Sequence, residues 1–197
     1  MPESPSPKIL LLVVLLVVVT IPLTWKAKSL EKKLFGTPDE SALLNRPAPD
    51  FQLDSLAGTQ ISFSDFRGKK LVVSFWASWC GPCRMELPDL QAFYEKYRLN
   101  NKNFEIVAIS TDEDLREAER YVRDAKLTFP VLWDRDGRAG EAYGVESIPM
   151  LFVIDENGKV VETHSGYGFG LEFRLCQALG IKRQESLPKK NNDRTGD

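Results

Sequence analysis

Apolar and polar positions along this chain fall into short blocks whose period changes from block to block. Leu71-Val72-Val73-Ser74-Phe75-Trp76 is a nearly unbroken apolar, β-branched run, which predicts a strand buried on both faces. From Arg84 to Leu99 the residues Leu87, Leu90, Phe93, Tyr94 and Tyr97 recur at three- and four-residue spacing, which predicts a helix with one buried face, kinked at Pro88. Phe104 to Ser110 reads as a second buried strand. Glu113 to Ala125, rich in alternating charges, predicts a crossover helix capped by Thr111 or Asp112. Phe129 to Trp133 is a short strand and Ala139 to Tyr143 a short helix stopped by Gly144. Met150 to Ile154 and Lys159 to Thr163 flank Asn157-Gly158, a hairpin signal, and Tyr167 to Leu179 supplies a closing helix. Upstream, Phe51-Gln52-Leu53 and Gln60-Ile61-Ser62-Phe63 alternate around Ala57-Gly58 and predict another hairpin, with a turn over Ser64 to Gly68. Strands alternating with helices predict an α/β domain with a mixed central sheet over residues 45–182.

The pattern changes at both ends. After a short segment, 1–8, residues Ile9 to Trp25 run for seventeen positions without a charge. As a helix they would reach about 25 Å, the short end of a membrane span. Trp25-Lys26-Ala27-Lys28 lacks a small-x-small cleavage pattern, so 9–25 reads as an uncleaved signal anchor rather than a removed signal peptide. Residues 26–44 read as a charged linker and 183–197 as a polar, disordered tail. Lys26, Lys28, Lys32 and Lys33 follow the span and Lys8 precedes it, so local charge counting would keep the domain on the cytoplasmic side.

With 197 residues and 43% hydrophobic content the chain has material for one domain and its appendages, and a net charge of -2 argues against a nucleic-acid partner. Three cysteines are too few for a disulfide scaffold. The pair Cys80 and Cys83 is therefore for chemistry. It stands where the buried run passes into the helical pattern, and the unpaired N–H groups of a helix N-terminus stabilise a thiolate at Cys80, by roughly one pKa unit. Cys80 is expected to be the exposed nucleophile and Cys83, one turn on, the resolving thiol. Pro82 suits the first helical turn, where its missing N–H costs nothing. Tetrahedral zinc would need four ligands, and the other candidates, Cys176 and His164, are distant in sequence and unpaired in spacing. No metal and no other cofactor is expected.

Phe75-Trp76-Ala77-Ser78-Trp79-Cys80-Gly81-Pro82-Cys83 resembles the active site of the thioredoxin superfamily. Pro47-Ala48-Pro49-Asp50-Phe51, Ser64-Asp65-Phe66-Arg67-Gly68-Lys69 and Cys83-Arg84-Met85-Glu86-Leu87-Pro88 narrow the resemblance to its TlpA-like (ResA-like) branch. That branch consists of membrane-anchored thiol-disulfide oxidoreductases, several serving cytochrome c maturation. The resemblance implies a thioredoxin-like fold with an N-terminal β-hairpin and a domain in the periplasm or extracytoplasmic space, against the charge count. It implies a cis Ile148–Pro149 bond facing the cysteines, with Trp79, Pro82, Ile148 and Pro149 binding substrate. The partners it implies are protein disulfides, such as the C-x-x-C-H of apocytochrome c, and a membrane thiol-reducing electron donor. Gly-Pro between the cysteines matches the reducing member of the superfamily, at about -270 mV, rather than the oxidant at about -120 mV.

Ser74 occupies the place where thioredoxin has a buried aspartate, and serine cannot serve as a base. Glu86, one turn from Cys83, is the expected substitute, with a pKa raised by burial. Cys176 reads as a small hydrophobe in the core. His164 invites a copper-chaperone reading, which would want three residues between the cysteines where this chain has two. A peroxidase would want a hydroxyl three residues before its reactive cysteine, and position 77 is alanine. An oxidase or isomerase of secreted proteins, or a holdase that binds without turnover, are the remaining alternatives.

Overall fold

The apolar runs form the middle of a sheet. The computed structural model describes residues 42–184, and in it β1 (Gln52–Ser55), β2 (Gln60–Ser62), β3 (Lys70–Trp76), β4 (Phe104–Ser110), β5 (Val131–Trp133), β6 (Met150–Ile154) and β7 (Val160–Ser165) pair in the order β2-β1-β5-β4-β3-β6-β7. The neighbours β3, β4 and β5 are parallel, and β6, β7 and the β1–β2 hairpin pair antiparallel. Mixed pairing and an N-terminal hairpin are what the thioredoxin-like reading requires.

Among the described residues four α-helices, α1 (Gly81–Arg98), α2 (Leu115–Asp124), α3 (Arg138–Ala142) and α4 (Leu171–Leu179), cover the sheet. Every residue from Leu71 to Trp76 is buried, so β3 carries no polar face. Its residues still alternate in what they touch. Val72 and Trp76 pack with Leu87 and Leu90 of α1, Ala118 of α2 and Leu175 of α4. Leu71, Val73 and Phe75 pack on the other face with Phe66, Tyr143 and Phe152. Ser74, even with Val72 and Trp76, therefore faces the α1 and α4 layer.

Element ends differ from the sequence reading where side chains compete for the backbone. Helix α2 starts at Leu115, not Glu113, because the Asp112 carboxylate is taken up by Ser78 and Ser110, leaving Asp114 to accept the Arg116 N–H. Helix α4 starts at Leu171, not Tyr167, because Gly166 and Gly170 adopt positive φ. Strand β5 starts at Val131, after Pro130, which has no N–H to contribute to a ladder. Phe63 leaves β2 for a 3-10 turn, Phe63–Phe66, in which the Asp65 carboxylate accepts the Ser62 N–H. Helix α1 continues through Pro88; the Arg84 carbonyl, which Pro88 cannot serve, accepts the Tyr121 hydroxyl at 3.3 Å.

The expected segment 1–8, the anchor at 9–25, most of the 26–44 linker and the tail beyond Gln184 lie outside the described residues. Among the described residues no helix is long and apolar enough to cross a membrane.

Candidate active site

β3 has a parallel neighbour on one side, β4, and an antiparallel one on the other, β6. Its carboxyl end is thus a topological switch point, the place where an open α/β sheet leaves a crevice. Residues 77–80 turn out of the strand there and α1 begins. Cys80 is the N-cap of α1, and its sulfur, in disulfide bond with Cys83, accepts the Cys83 N–H at 3.2 Å. Pro82 occupies the first turn. The sulfur pair sits in the positive field of the helix N-terminus, as the spacing predicts.

The expectation that Cys80 would be exposed is corrected. Cys80 is 5% exposed and Cys83 0%. The reason is a loop distant in sequence: the Ile148 carbonyl oxygen stands 3.8 Å from Cys80 Sγ, and the Ile148–Pro149 peptide is cis. Trp79 is 72% exposed beside them. Next to Trp79 and Ile148 a cleft of about 780 Å³ opens, walled by Thr111, Val145 and Ser147. A groove of about 850 Å³ lies elsewhere, between the β1–β2 turn and the end of α2, and no cysteine lines it.

The turn into the site is pinned by a residue that the sequence reading treated only as a helix cap. Asp112, buried at the end of β4, accepts the Ser78 N–H at 3.0 Å, the Ser78 hydroxyl at 2.7 Å and the Ser110 hydroxyl at 2.8 Å. Its carbonyl accepts Trp133 Nε1–H at 2.7 Å. The signal for this role was the parallel register that sets Trp76 beside Ser110, and periodicity does not reveal register.

Behind the cysteines Glu86 is 1% exposed, and the Ser74 hydroxyl donates to its Oε1 at 2.8 Å. Ser74, read as a missing base, is thus the carboxyl group's partner. Burial pushes the Glu86 carboxyl up from 4.5 to about 7, against the pull of the Ser74 hydrogen bond and the Arg174 charge. Cys176 is buried in the apolar cluster under α4. His164, on β7, pairs through Nδ1 with Arg174 Nη1 at 3.2 Å. Among the described residues no three His, Cys, Asp or Glu side chains gather as a metal site.

The chemistry available here is reversible exchange between a dithiol and a disulfide, with a carboxyl group of near-neutral pKa one turn behind the second sulfur. Residues 44–163 match the AhpC/TSA family. The thiol-disulfide oxidoreductase ResA of Bacillus thuringiensis subsp. konkukian is 36% identical over 67% of this chain and 75% of its own length. A crystal structure described as the thiol:disulfide interchange protein DsbE of Chlorobium tepidum aligns with a TM-score of 0.62 at 36% identity, covering 67% of this chain and 92% of that one. A thiol-disulfide oxidoreductase from Bacteroides fragilis aligns at 0.62 and 28% identity, covering 68% and 100%.

Proposed function

This chain belongs to the AhpC/TSA family and is a thiol-disulfide oxidoreductase, and on that premise we propose that it reduces disulfides of extracytoplasmic protein clients while held to the membrane by residues 9–25. The observation that carries this reading is the Cys80–Cys83 pair at the head of α1, roofed by the Ile148 carbonyl and backed by buried Glu86. The cleft beside Trp79 suits an extended segment, which would pair with the Ile148 backbone as an added strand. The C-x-x-C-H segment of an apocytochrome c is such a client, and a bacterial cytoplasmic membrane, with the domain on its outer side, is where such a client is met.

In the reducing direction Cys80 thiolate attacks one sulfur of the client disulfide; that S–S bond breaks and one client thiolate is released. Cys83 gives its proton to the Glu86 carboxylate, and the resulting thiolate attacks Cys80 Sγ, breaking the Cys80–client bond and restoring the Cys80–Cys83 disulfide. Two electrons pass from the protein dithiol to the client, whose two thiolates take protons from water, and Glu86 returns its proton to solvent. A membrane dithiol reductant must then return two electrons and two protons to the pair.

The test is the reduction potential of the full-length chain, equilibrated in dithiothreitol or glutathione buffers and read by tryptophan fluorescence, because Trp79 adjoins Cys80. A value near or below about -250 mV is expected of a dedicated reductant. A value above about -150 mV would overturn that direction and leave an oxidase or isomerase of secreted proteins.

A further inference from the structure

Five polar side chains from four elements face the layer between the sheet and helices α1 and α4, and the exchange reaction uses only one of them. The register runs Ser74 to Leu151 to His164 across β3, β6 and β7, so Ser74 and His164 project on the same side of the sheet, two strands apart. That spacing is roughly 10 Å. Glu86 reaches Ser74 from α1 at 2.8 Å, and Arg174 reaches His164 from α4 at 3.2 Å. Glu162, opposite Val153, projects from β7 on the same side.

The Arg174–His164 contact has a definite chemical sense. A guanidinium has only donors, so in this contact Arg174 donates and His164 Nδ1 accepts. Arg174 is thereby held against β7 by a ring that accepts from it. The β7–α4 loop lies over the pair: a Cβ on Gly168 would stand 3.6 Å from His164 Nε2 and 4.0 Å from Arg174 Nη1. The same loop is tied to the roof of the redox site, since the Gly166 N–H donates to the Pro149 carbonyl at 2.8 Å.

We propose that Arg174, held by His164, is a positioning residue of the redox site: its guanidinium stabilises the carboxylate form of Glu86 and so sets the pH at which Cys83 hands over its proton. This rests on the reading of Glu86 as the proton acceptor. The groups that act on Glu86 are Ser74 from β3, Asp89 from α1, Tyr167 from the loop after β7 and Arg174 from α4; Cys83 lies one turn before it in α1, and His164 and Glu162 share the face of β7 turned to this layer. Asp89 opposes the carboxylate and is itself engaged by the Tyr167 hydroxyl at 2.6 Å. Arg174 is the cation of the set, and Glu162 feels it as well.

The experiment follows the Glu86 carboxyl carbon by NMR as the oxidised full-length chain, in detergent, is titrated. In parallel, the pH dependence of the rate at which the reduced chain reduces oxidised glutathione is recorded. Arg174→Gln is expected to raise the Glu86 midpoint by about half a unit to one unit and to move the rate profile the same way. Arg174→Lys, which keeps the charge, is expected to recover at least half of both shifts, and His164→Phe to give a smaller shift in the same direction. An unchanged Glu86 midpoint in a folded Arg174→Gln chain overturns the proposal. So does a rate profile that ignores Arg174→Gln but responds to Glu86→Gln, which leaves the reading of Glu86 intact. A profile that ignores both substitutions overturns the reading of Glu86 itself.

Discussion

Glu86 is a carboxylic acid that folding removes from water and gives one hydroxyl partner, Ser74. Its native form therefore keeps its proton to about pH 7, where the unfolded chain loses it near 4.5. The sign follows from linkage. Stability attributable to this group is complete below 4.5, declines as pH rises because the unfolded state is the better acid, and is gone above 7. A difference of that size corresponds to about 3 kcal/mol. Glu86→Gln removes the ionisation, so the variant should match the parent near pH 4 and exceed it by up to about 3 kcal/mol at pH 8, as urea unfolding at the two pH values would register. A variant less stable than the parent at pH 8 would mean that the carboxylate is better solvated than its burial implies. The energy held at this one residue gives its carboxyl group the near-neutral pKa that the proposed proton transfer from Cys83 requires.

Among the elements, α1 carries the redox pair at its head and a proline in its second turn. An interior proline costs about 3 kcal/mol in an isolated helix, because it removes one N–H and crowds the carbonyl four residues back. Here that carbonyl, on Arg84, accepts from Tyr121, whose ring also stacks at a tilt on Trp76 and lies under the Arg84 guanidinium. Pro88 is thus matched by a residue of the helix beside it. Pro88→Ala is expected to stabilise the domain by about 1 kcal/mol, less than the isolated-helix figure, because Tyr121 already satisfies the Arg84 carbonyl and alanine loosens the unfolded chain. A denaturant midpoint that falls instead would show that the proline shapes the packing of α1 on the sheet.

For the whole domain, the two faces of the sheet carry separate apolar clusters, one under α1, α2 and α4 and the other under Tyr143, Phe66 and Phe51. Strands β3 and β4 contribute alternate residues to both, so neither cluster survives the loss of the other. Residues 42–184 should therefore unfold in one transition, with far-UV circular dichroism and tryptophan fluorescence coinciding in a urea titration. Two separated transitions would mean that the layers fold independently. The redox site lies at the end of the strand shared by both clusters. Its cysteines inherit the stability of the whole sheet.

Much of this was legible along the chain. The buried run into Cys80, the helical spacing from Leu87 to Tyr97 and the Asn157-Gly158 turn are local patterns, set by contacts within one or two turns or between adjacent strands, and such contacts repeat at a period that a linear sequence carries. The cover over Cys80, the clasp of Asp112 on Ser78 and the Ser74 hydroxyl on Glu86 join residues 68, 34 and 12 positions apart. Those pairs were decided by sheet order and register, which place Ser74 beside Leu151, Leu151 beside His164, and Trp76 beside Ser110. The sequence by itself determined which residues could exchange thiols, because two cysteines at a helix start are a local fact. Only the tertiary structure decided how covered the nucleophile is and which buried carboxyl group holds a proton near neutrality, because burial and charge are summed over every element that packs against a site.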